Sequence, residues 1–487
     1  MKNKIVNVVL ILIIMLFMAS CVRKEMQNDT FFTIALGERT VKYGIEEHDQ
    51  LVWHDGLEFI HLRWLFDVLI YGIYSVLDFV GIYIFVIIMS IIQGMLYYGI
   101  LNKFTKNKIL SFIATIVTMY FNKPEFAARG QIMSFTLFLI EFICIDKLLE
   151  TNKKIYMFIL LIIPILVVNF HASVLPMYFV FYLPYIAEFI LSKFNLIKKE
   201  DSKIIIEKRD ITKLIILMIC GLILGLCSPI GLDAYKYMFK VMGGISADFI
   251  AELQPVDLMR DIYYTILICI IIGIIGFTKT KIRLTDAMYI IGFLLLSLPT
   301  YRCIYFFYLF ASICIFRIVN DFISQNNVNL KFIRNKEKNI ISSLLLIIIT
   351  LFSVKNLVNQ MIKDYEDTST IPVNATNYIL SNLDIENMRI FNSFNYGSYL
   401  EMKGIKVFLD SRSEMYTEEF NHGVTILEDW LKATHGEIHY KEIFEKYEIT
   451  HVLLEKSDLI NIYIQYDSEW ENIYEDDVFV IYEKDSV

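Results

Sequence analysis

Two arginines in this chain of 487 residues stand where a charge is costly. Arg129, in "NKPEFAARGQ", and Arg302, in "LPTYRC", each abut a long apolar run. An ionised side chain at such a place needs a partner. A phosphate or diphosphate carried by a lipid suits both, because a guanidinium grips phosphate oxygens through two parallel N–H bonds. A lipid headgroup, or a salt bridge to Glu125 or Glu252, would also satisfy them. Acids collect in one polar stretch, residues 23–78, which holds Asp29, Glu38, Glu46, Glu47, Asp49, Asp55, Glu58 and Asp67 together with His48, His54 and His61. A carboxylate of this set can take the proton of an attacking hydroxyl. "NFHAS", with His171, marks a seam between two apolar runs. Further on, "FNSFNYGSYLEMKGIKVFLDSRSEMY" offers Asn392, Asn395, Tyr396, Tyr399, Asp410 and Arg412 as groups able to read sugar hydroxyls. Asp410 and Arg412 end an expected strand, a usual place for ligands in α/β sheets. An Asp–Arg pair that fixes a turn is the alternative reading.

The elements that position these groups are membrane helices. The chain is 56% hydrophobic and 15% aromatic. "FVGIYIFVIIMSIIQGMLYYGIL" runs for 23 residues without a charge, and about 20 apolar residues span a bilayer core. A net charge of −8 leaves no basic excess to attract nucleic acid. The seven cysteines lie in or beside apolar runs without metal-ligand spacing, so neither a disulfide framework nor a zinc site is expected. No Gly-rich phosphate loop is present, so a nucleotide-sugar donor is not indicated.

The sequence predicts about eleven transmembrane helices, over 5–22, 79–101, 109–121, 131–149, 155–169, 172–191, 214–226, 262–277, 287–298, 303–318 and 340–354. With the N-terminus inside, the cytoplasmic segments carry 23 Lys and Arg and the outer segments before Lys355 carry 11, as the positive-inside rule requires. This threading needs 61–78, "HLRWLFDVLIYGIYSVLD", to lie in the outer interface, where Trp64, Tyr71 and Tyr74 suit it. A twelfth span there would instead turn Lys103–Lys108 outward. "MASC" around Cys21 resembles a lipoprotein cleavage box, but "NDTFFTIALGE" after it is no flexible tether, and the first helix is expected to be retained.

An inside N-terminus, an acid soon after the first helix, an interfacial helix and an outer C-terminal domain resemble the GT-C superfamily of membrane glycosyltransferases. "DTFFTIALGE", "HLRWLFDVLIYGIY", "ARGQIMSF", "NFHAS", "SPIGLDAY" and "IAELQP" look like the ordered motifs of a bacterial branch related to RgtA-type and dolichyl-phosphate-mannose-type mannosyltransferases. Ser228-Pro229 and Arg129-Gly130-Gln131 depart from the Asn-Pro and Arg-Pro-Gln of that pattern. The resemblance implies an inverting transfer of a sugar from a polyprenyl-phosphate donor to a lipid, glycan or protein acceptor at the outer face of the plasma membrane. Asp29 would then be the base, with Asp49 next in line. Arg129, Arg302 and His171 would hold the donor phosphate. Glu252, Asp410 and Arg412 would contact acceptor or sugar. No metal ligand is assigned, although the scheme leaves room for a divalent cation.

Residues 1–361 are thus expected to form a polytopic α-helical membrane domain with a large first outer loop (23–78), and 362–487 a soluble extracytoplasmic α/β domain. In the latter, "NATNYILSNL" and "HYKEIFEKY" read as helices, and "MRIFN", "IKVFLD", "THVLLEK" and "VFVIYEK" as strands. The competing classes are a transporter or flippase for a lipid-linked sugar, for which Glu141 and Glu188 are the deep acids, a glycan polymerase or ligase, and a non-catalytic assembly or adhesion protein. The threading is checked by labelling: a cysteine placed at Ser202 should be shielded from impermeant maleimide in intact cells, and one at Glu428 should react. Labelling at Ser202 would overturn the orientation.

Overall fold

The computed structural model describes residues 2–196, 211–241, 251–278, 280–325 and 335–485. Most of the basic stretch expected inside, 197–210, lies outside the described residues, as do Asp248, Lys279, Lys331 and Arg334. The chain divides into two compact units. One comprises Met1–Arg23, Tyr83–Ala234 and Asp248–Ile362; the other comprises Lys24–Ile82, Tyr235–Ala247 and Lys363–Val487. The polar stretch after the first helix therefore groups with the C-terminal residues, whereas the sequence pattern places it with the membrane domain.

The first unit is helical among its described residues, and every predicted membrane segment falls on helix. By length and composition, Trp64–Thr105, Lys154–Lys193, Tyr301–Gln325 and Ser342–Met361 are long and apolar enough to cross a membrane, and further apolar helices are shorter. The segment 172–191 is not one rod. Backbone angles at His171 (φ −166°, ψ 72°) interrupt it before a 3₁₀ turn, Ala172–Val174. Two short helices come next, Leu175–Val180 and Leu183–Lys193, each with a proline in its first turn, where the missing N–H costs nothing.

This unit wears its apolar side chains outward: Ile5, Leu12, Ile219, Ile272 and Leu351 are exposed. In lipid such surface costs nothing, and polar contacts between helices do the fastening. The Tyr97 hydroxyl donates to Thr118 Oγ1 at 3.1 Å and pairs with Ser312 Oγ at 2.5 Å, while Thr118 Oγ1 lies 2.8 Å from the Tyr263 hydroxyl. Four buried residues from four helices are thereby tied together. Arg317 Nε donates to Asp286 at 2.8 Å, and Lys103 Nζ to Asp146 at 2.6 Å.

Within the second unit the long helix Trp64–Thr105 is broken at Asp78 (φ 54°, ψ −159°). The Asp78 carboxylate accepts the Phe79 N–H at 2.7 Å and so caps the helical stretch on the far side of the break. The break falls at the end of the predicted interfacial helix.

A four-stranded sheet lies at the heart of this unit: β1 (Ile390–Phe391), β2 (His451–Glu455), β3 (Trp470–Glu475) and β4 (Phe479–Lys484), in the order β1-β2-β4-β3. β1 and β2 are parallel, joined by a crossover through helices Gly397–Met402, Ile426–Thr434 and Tyr440–Lys446. β4 pairs antiparallel with β2 and with β3. Buried Val452, Leu453, Leu454, Val480 and Ile481 make near-continuous apolar runs, as strands covered on both faces do.

"IKVFLD" is not a strand of this sheet. Val407 makes a single parallel bridge to Val52. Its neighbours are held by one side chain, with Asn392 accepting from the Phe408 N–H at 2.9 Å and donating to the Leu409 carbonyl at 2.8 Å. Conversely, β3 carries exposed Glu471 and half-exposed Tyr474 on a polar edge, so its sequence lacks the apolar density that would reveal it.

The helix Asn28–Tyr43 completes the unit. Phe31 meets Tyr399 edge-on at 5.0 Å. Gly37 lies against the next helix so closely that a Cβ there would sit 2.2 Å from the Asp67 carbonyl oxygen and 2.6 Å from Tyr71 Cβ. Gly37→Ala should therefore force the two helices apart and cost about 1–3 kcal/mol, the usual range for overpacking. The thermal aggregation midpoint in detergent should fall relative to the parent, and an unchanged midpoint would refute the close packing.

Candidate functional site

The candidate residues fall into three groups. The first lies in the helical unit. Arg129 precedes helix Gly130–Thr151 in extended conformation (φ −125°, ψ 154°), so its side chain leaves the helix end. Arg302 sits on a 3₁₀ turn, Tyr301–Cys303. Both reach Glu252. Arg129 Nη1 and Nη2 lie 3.3 and 3.5 Å from the two carboxylate oxygens, and Arg302 Nε lies 3.6 Å from Oε2. Of the partners weighed from sequence, the carboxylate of Glu252 is in contact with both arginines. These contacts are long for charge-assisted hydrogen bonds, and the Arg302 side chain remains about half exposed. The turn carrying Glu252 is latched to that of Arg302: Thr300 Oγ1 donates to the Glu252 carbonyl at 3.2 Å, and the Tyr301 N–H to the Gln254 carbonyl at 2.7 Å.

His171 is not on that surface. It is buried, with Nδ1 2.9 Å from Ser134 Oγ. A Cβ on Gly130 would lie 3.1 Å from the His171 ring. Its place is behind the first turn of the helix that Arg129 precedes, so it supports the position of Arg129. The glycine of "ARGQ", where the resembled pattern has proline, is the residue against which this ring packs.

The second group surrounds Arg412 in the other unit. Its guanidinium is 5% exposed and pairs with Asp49, Glu401 and Asp410. Arg412 Nε donates to Asp410 Oδ2 at 2.8 Å, Arg412 Nη2 to Glu401 Oε1 at 3.0 Å, and the Arg412 N–H to Asp410 Oδ1 at 2.6 Å. Asp49 meets Nη1 through Oδ1 and accepts the Leu51 and Val52 N–H groups through Oδ2, both at 2.9 Å. The rings of Phe32 and Phe59 each lie 5.0 Å from the guanidinium carbon. Asp410 and Arg412 thus face one another and the core, where no sugar hydroxyl reaches them. Asp49, expected as a reserve base, has both oxygens engaged and is buried. The cluster holds the unit together, and an Asp–Arg pair that fixes a turn is the sequence reading it fits.

One guanidinium cannot balance three buried carboxylates. Burial works against the charge on Arg412, but Asp410, Asp49 and Glu401 hold it protonated well above its ordinary value. Burial opposes ionisation of Asp410 too, yet Arg412 keeps it below the usual aspartate range. Glu401 yields: burial and the charge of Asp410 push it well above the glutamate range, where its carboxyl proton is shared in a hydrogen bond with Asp410. Sequence reading missed Glu401; an acid in the apolar helix "GSYLEM" is the one signal it carried.

The third group is Asp29 alone. It lies in the first turn of helix Asn28–Tyr43, part-exposed, directly after Asn28, whose amide donates to the Phe394 carbonyl at 3.0 Å. Its own carbonyl accepts from Thr33 Oγ1 at 2.8 Å. A helix N-terminus favours the ionised carboxylate. "NDTFF" and the start of "FNYGSYL" are therefore neighbours in the fold.

With this geometry in view, solved structures supply the comparison. The chain superposes on the Archaeoglobus fulgidus oligosaccharyltransferase AglB in complex with an inhibitory peptide and a dolichol-phosphate, with a TM-score of 0.57 and 12% identity over 93% of this chain and 70% of that one. The same enzyme tethered to an acceptor peptide containing the NVT sequon gives 0.56 and 10% identity, over 92% and 68%. Its complex with Zn and sulfate gives 0.55 and 9%, over 92% and 68%. The chain has the fold of a membrane oligosaccharyltransferase. No family model matches the chain, and no curated protein matches it in sequence. Among the described residues no group of three His, Cys, Asp or Glu side chains is arranged to hold a metal ion.

The Arg412 cluster generates its own test. Arg412→Ala leaves Asp49 and Asp410 buried without their cation and should cost about 3–5 kcal/mol, as loss of one partner of a buried pair does. Glu401→Gln keeps the shape of a group already neutral in the fold, so it should be nearly silent below the ordinary glutamate range and stabilising at pH 7. Because the folded Glu401 keeps a proton that the unfolded chain sheds, it makes stability fall as pH rises above the ordinary glutamate range. Glu401→Gln should flatten that alkaline decline, measured as thermal aggregation between pH 6 and 9.

Proposed function

We propose that this protein is a membrane glycosyltransferase that moves a sugar from a polyprenyl-phosphate-linked donor to an acceptor at the outer face of the plasma membrane. The N-terminus is cytoplasmic, and the unit containing residues 363–487 is extracytoplasmic. One observation carries the reading: two arginines from separate turns converge on a single anionic group, Glu252, at a part-exposed site of the helical unit. Two guanidinium groups so placed suit a phosphate that gains charge as its bond to the sugar breaks.

In this scheme Arg129 and Arg302 hold the donor phosphate. His171 keeps the helix start beneath Arg129 in place. The acceptor nucleophile attacks the anomeric carbon on the face opposite the phosphate. The C–O bond to phosphate breaks, the carrier phosphate leaves with its electron pair, and the configuration inverts. Asp29 takes the acceptor's proton. General-base help of this kind contributes about 10²–10⁴ in rate. Glu252 contacts the acceptor or sugar once phosphate holds the arginines.

The alternative donor, that of a glycan polymerase or ligase, is a preassembled glycan on a diphosphate carrier, and the similar fold belongs to an oligosaccharyltransferase. Transfer in right-side-out vesicles of labelled monosaccharide from polyprenyl phosphate, against labelled oligosaccharide from polyprenyl diphosphate, separates the two. Asp29→Asn should reduce transfer by at least about 10²-fold with donor binding retained. Arg302→Ala should weaken donor binding and slow transfer together. Full turnover in Asp29→Asn would move the base elsewhere; no transfer from either donor by the parent protein would sink the enzyme reading.

A further inference from the structure

The unit built on the sheet contains a groove of about 380 Å³ lined by Trp53, His54, Arg389, Thr425, Lys446 and Tyr447. It shares no residue with the three groups of candidate site residues. Its volume is in the range of small-molecule sites, roughly 300–1,000 Å³.

Its rings are fixed. The Trp53 indole N–H donates to the Ile390 carbonyl at 3.1 Å, and His54 Nε2 pairs with the Phe408 carbonyl at 2.8 Å. The two rings lie at a 32° tilt, with centroids 4.1 Å apart. Tyr447 meets His54 edge-on at 5.6 Å. Trp53 and Tyr447 are only half-buried, so ring surface is left uncovered in the groove.

Its charges are fixed and nearly balanced. Lys446 Nζ donates to Asp429 at 2.6 Å and to Thr425 Oγ1 at 3.2 Å. The Tyr447 hydroxyl donates to the same Asp429 oxygen at 2.6 Å. Arg389 pairs with Glu448 and lies 5.7 Å from the Trp53 ring centre. Burial pushes His54 down to about 4, so it adds no positive charge at neutral pH. Each cation already has a carboxylate and Asp55 adds another to the lining, so no positive field is left to hold a phosphate or an acidic group. What remains is uncovered aromatic surface beside oriented donors and acceptors, with little side-chain entropy left to lose on binding. A polyhydroxylated ring has that complement: C–H faces for the aromatics and hydroxyls for the polar edges.

We propose that this groove binds a neutral saccharide, and that it serves as a recognition subsite for glycan separate from any transfer chemistry. The binding claim stands independently of the proposed function. With the transferase reading, it assigns a glycan rather than a bare lipid or peptide to the substrate or product.

The test is saturation-transfer NMR on the full-length protein in nanodiscs. The probes are methyl α-mannoside, methyl β-glucoside, N-acetylglucosamine, glucuronate and inorganic phosphate. At least one neutral sugar should receive saturation on its ring protons, and phosphate should not compete with it. Trp53→Ala should abolish the signal. Arg389→Ala, at a side chain exposed outside the core, should weaken the signal at least about fivefold without disturbing the fold, while Asp29→Asn should leave it intact. The proposal fails if no neutral sugar receives saturation at concentrations on the order of 10 mM, a generous limit for weak binding. It also fails if the signal survives Trp53→Ala and Arg389→Ala together, or if glucuronate or phosphate displaces the neutral sugar. Loss of transfer with binding retained would fault the transferase reading alone.

Discussion

A buried guanidinium is tolerable only where carboxylates neutralise it, and Arg412 draws its neutralisers from three places in the chain. Asp49 comes from the polar stretch after the first helix, Glu401 from a short helix, and Asp410 from the turn that Arg412 itself closes. Removing Arg412 would leave Asp49 and Asp410 buried without their cation, a penalty larger than most packing contacts can offset. Contacts around it obey the same join. Asn421 exchanges hydrogen bonds with the backbone of Glu58, Trp53 caps the end of β1, and Val52 bridges to Val407. The small sheet supplies the frame, while the ion cluster fixes which distant segment lies upon it.

The helical unit obeys the opposite rule. Its apolar residues face outward, and hydroxyls and charges fasten the interior, so the Tyr97, Thr118, Tyr263 and Ser312 network does there what a hydrophobic core does in the second unit. Arg129, Arg302 and Glu252 extend this interior polarity to a part-exposed edge. Their long contacts show charges gathered but not locked, unlike the tight cluster at Arg412.

The helices were legible because apolar runs and their flanking charges are local signals; even the break at Asp78 was visible as the point where an amphipathic stretch meets a span. Elsewhere the outcome was set by partners distant in sequence. "IKVFLD" has the alternation of a strand, but its backbone groups are taken by Asn392 and by the stretch around Val52, partners that no local pattern discloses. Asp410 and Arg412 looked like ligand groups because charges at the end of a run suggest exposure, and Asp49, more than 350 residues earlier, supplies the burial. The seam at "NFHAS" was correctly found, yet His171 turns inward to Ser134. The Glu252 contact was foreseen as one option, since an arginine at a membrane edge demands some anion. Trp53 drew no notice, and Tyr447 was read only as the end of the helix "HYKEIFEKY".

The separation of Asp49 and Arg412 by 363 residues also sets an order of events during synthesis. At about 5–20 residues per second, the carboxylate leaves the ribosome roughly 20–70 s before the cation that will neutralise it. Residues 363–487 must emerge before the sheet that carries Arg412 can close. For all that interval the segment bearing Asp49 and Trp53 has emerged without its partner. It depends on something else in the cell to keep it from pairing wrongly, and the last quarter of the gene decides whether the first tenth folds.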